Sequence, residues 1–159
     1  MKILQKLLFI TLVLGASMLF ADPKQPIPAD QAFIFSMSVQ DNKTVVAHWK
    51  IAPGYHLYKE RISYKLESPQ SASVGPITLP PGIPKEDNIL GKYQVYNQQL
   101  DIPMPIKHPG GKPITVKVCY QGCSDANFCY PPQTKEVTFD LTAPKGTYFS
   151  AKTLENFPQ

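Results

Sequence analysis

The stretch FIFSMSVQDNKTVVAHWKI, residues 33–51, decides the fold of this chain. On both sides of the polar turn at 41–43, apolar residues occupy every second position and mostly polar residues lie between them. A period of two on either side of a short polar turn predicts a β-hairpin with one face in a core. The residues expected on that face are Phe33, Phe35, Met37, Val39, Val45, Ala47, Trp49 and Ile51.

The rest of the chain continues in short extended segments that are separated by proline and glycine breaks. With 17 prolines and 9 glycines in 159 residues, long helices are excluded, because proline inside a helix costs about 3 kcal/mol. Pro103 and Pro105 favour the edge of a sheet. Seven or so short strands predict an all-β fold, an immunoglobulin-like two-sheet β-sandwich. The further strand regions are expected at 55–66, 74–79, 93–106, 114–120 and 137–141.

The two ends of the chain differ in composition from this middle. Residues 1–21 carry Lys2 and Lys6, an apolar run at 7–14 and then small residues, which is typical of a secretory signal peptide cleaved after Ala21. An uncleaved membrane anchor is the alternative, but the apolar run is short for a span of about 20 residues. We therefore expect a signal peptide at 1–21, one folded domain at 22–143, and a tail or linker at 144–159.

The charge of the chain gives little indication of a charged partner. The formal net charge is +4, and removal of Lys2 and Lys6 leaves it near +2. The lysines are scattered and Arg61 is the one arginine, so no stripe suited to phosphates is present and nucleic acid is not an expected partner.

Three cysteines carry the chemistry of the sequence. Cys123 and Cys129 flank a five-residue loop, with Gly122 before it and two prolines after it. A disulfide across so small a ring contributes only about 2–2.5 kcal/mol, so the pair is either a hairpin staple or a bond that opens and closes. Cys119 is out of phase with its apolar neighbours, so it is either a half-buried bystander or a third redox thiol able to exchange with Cys123.

A metal site is a further alternative. The three cysteines, together with His56, His108 or Met104, are soft ligands that suit Cu(I) or zinc. Their spacing matches no known ligand pattern, and an exported chain meets an oxidising compartment that disfavours free thiols. No Ser/His/Asp arrangement and no glycine-rich phosphate loop is evident, and no cofactor is expected.

The stretch VCYQGCSDANFCYPP, residues 118–132, resembles the active-site loop of a known family, the N-terminal periplasmic domain of the thiol:disulfide interchange protein DsbD. Three further stretches, at 28–33, 49–58 and 85–96, resemble segments of the same family in the same order. The resemblance extends from about residue 28 to residue 141.

This resemblance implies an immunoglobulin-like periplasmic domain whose Cys123 and Cys129 cycle between dithiol and disulfide. It implies an electron donor with a thioredoxin-like fold, supplied in turn by a membrane protein. The implied acceptors are periplasmic thioredoxin-fold proteins, namely disulfide isomerases of the DsbC and DsbG type and a reductase of cytochrome c maturation. By position, Cys129 forms the mixed disulfide with the partner, and Cys123 resolves it.

The resemblance also implies a cap loop that shields the cysteines and moves aside when a partner docks. Tyr58 and Asp87 are implied to lie near the sulfurs and to tune their protonation. The sequence departs from the family at Ile89, where a phenylalanine is expected, at His56, where a tyrosine is usual, and at Asn88, where an acidic residue is usual. Looser shielding is therefore expected, and His56 is a candidate to stabilise a thiolate. The implied cap and surround comprise Asp87, Asn88, Ile89, Leu90, Tyr58, His56, Phe128 and Tyr130.

Two alternatives from other classes stay open at this point. One is an exported β-sandwich that binds a protein, with a purely structural disulfide, and the other is a copper-handling module. No membrane or thioredoxin-like domain follows in the sequence, which leaves a stand-alone version supplied by a separate membrane protein, or a fragment of a longer one.

Overall fold

The computed structural model describes residues 25–154 except 109 and 111, so the expected signal peptide lies outside the described residues. Strands dominate, and within the described ranges the one α-helix has four residues, too short to cross a membrane. In chain order the elements are α1 Ala29–Ala32, β1 Phe33–Asp41, β2 Thr44–Ile51, β3 Tyr55–Tyr58, a 3₁₀ turn Lys59–Arg61, β4 Ser63–Ser68, β5 Ser73–Val74, β6 Ile83–Asp87, β7 Gly91–Tyr96, β8 Gln99–Lys107, β9 Ile114–Tyr120, β10 Gly122–Ser124, β11 Gln133–Phe139, β12 Tyr148–Ser150 and β13 Lys152–Leu154.

These strands form three antiparallel sheets. The front sheet has the order β12-β1-β2-β8-β5, the back sheet β13-β11-β9-β4, and a smaller site sheet β10-β3-β7-β6. The all-β sandwich expected from the sequence is confirmed. The site sheet is an addition to the two sheets that were expected.

The core lies between the front and back sheets. All eight residues expected on the inner face of the β1–β2 hairpin are buried, and Phe35 lies opposite Trp49 in the strand register. Tyr120, on β9 of the back sheet, contacts the rings of Phe35 and Trp49 at 6.1 and 5.8 Å between centroids. These aromatic contacts hold the two sheets together, because large rings bury much apolar area.

The predicted strand at 55–66 is wrong as a single element. The 3₁₀ turn at Lys59–Arg61 divides it, so β3 joins the site sheet and β4 becomes an edge of the back sheet. Since an edge strand is covered on fewer sides, Tyr64 on β4 is 40% exposed.

Other boundaries also differ from the expectation. Only Ser73–Val74 of the region 74–79 forms a strand, and the region 93–106 divides into β7 and β8 at Gln98, whose φ is +67°. Pro103 and Pro105 lie on β8, which is not the last strand of the front sheet as expected, because the two-residue β5 pairs with its outer side at Ile106 and Lys107. Both prolines precede that paired stretch.

Residues 144–154 carry two strands where a tail or linker was expected. β12 pairs with β1 of the front sheet and β13 pairs with β11 of the back sheet, so this segment crosses from one sheet to the other. The side chain of Lys135 on β11 is 5% exposed and contacts Asp30 of α1 and Thr153 of β13, the latter at 2.7 Å. The first and last described elements are thus fastened to one buried ammonium group.

Candidate functional site

The two cysteines of the small loop form a disulfide at one end of the site sheet. Cys123 belongs to β10, and Cys129 pairs with it as an isolated antiparallel bridge. Two backbone hydrogen bonds close the loop on either side of the bond, from Ser124 N to the carbonyl of Phe128 at 2.7 Å and from Tyr130 N to the carbonyl of Gly122 at 3.0 Å. The disulfide loop, residues 122–130, is therefore a small hairpin of its own.

The two sulfur-bearing residues differ in their access to solvent. Cys123 is 1% exposed, whereas Cys129 is exposed. An attacking thiolate must approach one sulfur of a disulfide directly, and Cys129 is the residue of the pair that solvent reaches.

Glycine is required at position 122 because β10 lies tightly against the core. A Cβ atom at Gly122 would overlap the ring of Phe33 and the backbone carbonyl of His56. The absent side chain lets β10 pair with β3 and brings the disulfide onto the site sheet.

The strand register places the tyrosine implied by the family beside the buried sulfur. Cys123 lies opposite His56, and Tyr58 follows two residues later, on the same face of the sheet. The Tyr58 hydroxyl donates to the Cys123 Sγ at 3.4 Å. Burial, and then the negative charge of Asp87, raises the pKa of Tyr58, so its hydroxyl remains a donor at neutral pH.

The β6–β7 turn, residues 87–91, corresponds to the expected cap. Asp87 Oδ1 accepts from the backbone N–H groups of Ile89 at 2.8 Å and Leu90 at 2.6 Å. The bonds from Leu90 and Ile89 lower the pKa of Asp87, which is therefore ionised at neutral pH. Tyr93 on β7 also donates to Asp87, and its ring lies 5.5 Å from that of Tyr58, so the cap is connected to Tyr58.

The tip of this turn does not cover the disulfide as an apolar lid. Ile89 is 93% exposed, Leu90 is 48% exposed and Asn88 is exposed. A looser apolar lid was expected here, and the side chain of Ile89 is almost fully exposed to solvent. Asp87 and Tyr93 of the cap hairpin act on Tyr58, and Tyr58 in turn contacts the buried sulfur of Cys123.

His56 lies among polar and aromatic neighbours on the same face. Its Nδ1 is 3.2 Å from Oδ1 of Asp125 in the disulfide loop, and its ring meets that of Tyr58 edge to face at 5.4 Å. The His56 side chain is 17% exposed, so these neighbours enclose most of it.

Phe128 and Tyr130 flank Cys129 but have different surroundings. Phe128 is 44% exposed and packs edge to face on Tyr130 at 4.9 Å. Tyr130 is buried and donates to the carbonyl of Ile27. Burial and the hydrogen bond with Tyr55 raise the pKa of Tyr130 to about 12. Phe128 thus adds apolar surface beside Cys129, and Tyr130 anchors the loop.

The candidate metal ligands do not come together. Met104 is buried in the front sheet, His108 bonds the carbonyl of Lys112, and Cys119 lies on the back sheet between Ser63 and Thr134. No group of three metal-ligating side chains converges anywhere in the part of the chain that the structure describes. The free thiol of Cys119 is half-buried and lies on a different sheet from Cys123.

Sequence reasoning missed two members of this cluster, Tyr93 and Asp125. Asp125 had a visible signal, since it is an acidic residue between the two cysteines. Tyr93 had none, because its approach to Tyr58 and Asp87 depends on the register of three strands.

Comparison with known proteins now identifies the family. The model of the family "Thiol:disulfide interchange protein DsbD, N-terminal" matches residues 23–141. DsbD of Cronobacter sakazakii is 41% identical over 122 residues, which are 76% of this chain and 20% of that protein. DsbD of Tatumella citrea is 43% identical over 113 residues, which are 70% of this chain and 18% of that protein. The chain therefore spans about a fifth of the length of the curated relatives it matches.

Solved structures agree with these matches. The N-terminal domain of Neisseria meningitidis DsbD in its reduced form superposes with a TM-score of 0.66 at 28% identity, covering 78% of this chain and 94% of that one. The same domain in complex with the PilB N-terminal domain gives a TM-score of 0.62 at 28% identity, covering 76% and 94%. The immunoglobulin-like β-sandwich expected from the sequence is confirmed by this likeness. By the family match, the sequence identities and the fold together, this chain belongs to the family of DsbD N-terminal domains.

Proposed function

We propose that this domain carries out thiol:disulfide interchange through Cys123 and Cys129, as a thiol-disulfide oxidoreductase. The observation that carries the proposal is the asymmetry of the pair, with an exposed Cys129 and a Cys123 that is 1% exposed and accepts a hydrogen bond from Tyr58. Membership of the DsbD family supports the same chemistry.

Electrons enter the domain by two exchanges. A donor thiolate attacks the Cys129 sulfur, the Cys123–Cys129 bond breaks, and the electron pair leaves on Cys123 as a thiolate. A second donor thiol then loses its proton and attacks the donor sulfur of the mixed disulfide, which releases Cys129 as a thiolate and leaves the donor oxidised. Two electrons are transferred, and the domain holds a dithiol.

Electrons leave by the reverse order of events. The Cys129 thiolate attacks an acceptor disulfide, and an acceptor sulfur leaves as a thiolate. Cys123 then loses its proton and attacks Cys129, which re-forms the original bond and releases the reduced acceptor. The exposure of Cys129 and the burial of Cys123 support the roles of Cys129 as the partner-linked sulfur and of Cys123 as the resolving sulfur.

The partners that fit this chemistry are thioredoxin-fold proteins. We infer a donor of that fold, supplied by a membrane electron-transfer protein, and acceptors among disulfide isomerases of the DsbC and DsbG type and the reductase of cytochrome c maturation. The solved complex of the Neisseria DsbD N-terminal domain with the PilB N-terminal domain supports protein partners of the family's domain. The location that suits these partners is the periplasm, reached by export with the signal peptide at 1–21.

Trapping a mixed disulfide tests this proposal directly. A thioredoxin with its second active-site cysteine replaced by serine is activated as an aryl disulfide and mixed with the Cys123→Ser variant, which keeps the exposed Cys129. We expect a covalent heterodimer, and mass spectrometry of its peptides should place the bond at Cys129.

The matched control is the Cys129→Ser variant, which keeps the buried Cys123, and both variants are made with Cys119→Ser. We expect far less heterodimer from this control, because Cys123 is 1% exposed. Equal trapping by both variants, or trapping by neither, would contradict the roles assigned to the two sulfurs.

The reduction potential of the pair separates this proposal from a protein-binding module with a structural bond. A pair that titrates in glutathione buffers at about −200 to −270 mV lies in the range of thiol carriers. A bond that stays oxidised below about −300 mV is structural, and the redox proposal is then rejected.

A further inference from the structure

His56 occupies a position from which its charge acts on the buried sulfur. It lies directly opposite Cys123 in the β3–β10 pair, and the Cβ atoms of opposed residues in such pairs are about 4.5–5.5 Å apart on one face. Its ring meets that of Tyr58, whose hydroxyl contacts the Cys123 Sγ. The imidazole is therefore a close neighbour of the sulfur that leaves when the disulfide opens.

The partner of His56 fixes which ring nitrogen can gain a proton. An ionised carboxylate only accepts hydrogen bonds, so Nδ1, at 3.2 Å from Oδ1 of Asp125, carries the proton of the neutral ring. The second proton therefore binds at Nε2. The imidazolium that results has the carboxylate of Asp125 as its counter-ion.

We infer that protonated His56 stabilises the negative charge that develops on Cys123 when a donor thiolate attacks Cys129. The inference rests on the proposed thiol:disulfide function and deepens it. His56 is a positioning residue here, because it acts on the leaving sulfur through space and through Tyr58. Opening of the disulfide is then faster at the acidic end of the pH range in which histidines ordinarily change charge.

The electron balance of the step shows why charge at this point matters. A bond forms between the donor sulfur and Cys129, the Cys123–Cys129 bond breaks, and the electron pair remains on Cys123. A thiol with a lower pKa leaves faster, so a neighbouring positive charge that favours the Cys123 thiolate speeds the step. No proton has to move until the thiolate is later protonated from His56 or from water.

Charged groups on three other elements act on His56 and Tyr58. Asp125 faces it from the disulfide loop, and Asp87 acts from the cap through Tyr58. Arg61 of the 3₁₀ turn acts on Tyr58 with the opposite sign. The lowered pKa of Asp87 keeps it ionised at neutral pH.

The two neighbouring tyrosines stay neutral over the same range. The raised pKa of Tyr58, caused first by burial, and the raised pKa of Tyr93, caused also first by burial, both keep the hydroxyls protonated. Histidine is the side chain that ordinarily changes charge between about pH 5 and 8, so a transition in that window reports an imidazole.

The rate at which dithiothreitol opens the disulfide tests the inference. The rate is measured from about pH 5.5 to about pH 8.5 by acid quenching, alkylation and mass spectrometry, and is divided by the dithiothreitol thiolate concentration. For the natural sequence we expect this normalised rate to fall about threefold to tenfold as the pH rises. For His56→Gln we expect a flat profile at the high-pH value.

A second histidine–aspartate pair, away from the disulfide, provides a matched control for His56→Gln. His48 in the front sheet has Nδ1 at 2.7 Å from Oδ1 of Asp101, and His48→Gln should keep the natural profile. Asp125→Asn changes a side chain that is 73% exposed, so it should fold, and it should enlarge the fall in rate, because no carboxylate then offsets the charge of the imidazolium.

The outcomes separate this inference from the proposed function. An unchanged profile in both His56→Gln and Asp125→Asn, or an equal loss in His48→Gln, overturns the role of His56 while disulfide opening itself persists. A bond that dithiothreitol fails to open at any pH overturns the proposed function, and the role of His56 with it.

Discussion

At the scale of single residues, the Tyr58 hydroxyl is the group that contacts the buried sulfur of the disulfide. It donates to the Cys123 Sγ at 3.4 Å, and its pKa is raised by burial and by Asp87, so it is a donor at any pH below its ordinary range near 10. A hydrogen bond donated to the sulfur stabilises the thiolate relative to the thiol. Tyr58 therefore has the same effect on the Cys123 leaving group at every pH at which the domain is used.

We expect Tyr58→Phe to slow opening of the disulfide about threefold to tenfold, because one hydrogen bond to the leaving sulfur is lost. The measurement is the normalised dithiothreitol rate at fixed pH. Tyr148→Phe is the matched control, since Tyr148 is 67% exposed and lies on β12. A Tyr58→Phe rate equal to that of the control would contradict the role of this hydroxyl.

Much of the residue-scale site was predicted from the sequence through the family motif. The family resemblance implied that Tyr58 and Asp87 lie near Cys123 and Cys129. In the structure the Tyr58 hydroxyl contacts the Cys123 Sγ, and the charge of Asp87 acts on Tyr58. The resemblance did not predict the exposure of Ile89, because the direction of a turn's tip depends on local hydrogen bonds such as those that Asp87 accepts. Contacts that require the register of several strands cannot be obtained from spacing along the chain.

At the scale of elements, the β6–β7 hairpin is held at its turn by one carboxylate. Asp87 accepts two backbone N–H groups, and these bonds lower its pKa. A lowered pKa in the folded state means that the ionised group stabilises the turn above the ordinary carboxyl range near pH 4. That contribution is lost as the pH falls through the lowered pKa.

We expect Asp87→Ala to speed deuterium exchange at the amides of Ile89 and Leu90 about tenfold at neutral pH, since both lose their acceptor. Asp140→Ala is the matched control, because Asp140 accepts similarly from the N–H and hydroxyl of Thr142 in another turn. Unchanged exchange at the cap in Asp87→Ala would show that other contacts hold the turn.

The elements themselves were predictable where alternation was long. β1 and β2 extend over 9 and 8 residues, and both strands and their turn were predicted. β12 and β13 have three residues each, too few for a period of two to be visible, and they were expected to be tail. Short strands of this kind form because an existing sheet edge offers them backbone partners, which is a property of the fold and not of the segment.

At the scale of the whole molecule, the buried Lys135 connects the beginning and the end of the described chain. Its side chain is 5% exposed, and Asp30 of α1 supplies its counter-charge. A buried ammonium group that loses its partner is strongly unfavourable, whereas replacing it by an apolar side chain of similar size is often neutral.

We expect Asp30→Ala to lower the free energy of unfolding by about 1–3 kcal/mol, the lower part of the usual range because Asp30 is 60% exposed. We expect Lys135→Met to lower the free energy of unfolding by less than Asp30→Ala does, because methionine is of similar size to lysine and leaves no buried charge without a partner. Urea denaturation of the oxidised domain measures both. A larger loss in Lys135→Met would mean that the ion pair itself stabilises the fold.

The pairing of β13 with β11 determines where a following segment would begin. β13 runs antiparallel to β11, so Leu154 lies opposite Thr134, five residues after Cys129. Any segment joined after Leu154 therefore starts at the end of the sandwich that carries the disulfide. A dithiol protein tethered there by a flexible linker would meet Cys129 at an effective concentration in the millimolar range, whatever its concentration in solution. Electron delivery from such a fused domain to the disulfide would follow first-order kinetics, and competition from free dithiols would be weak.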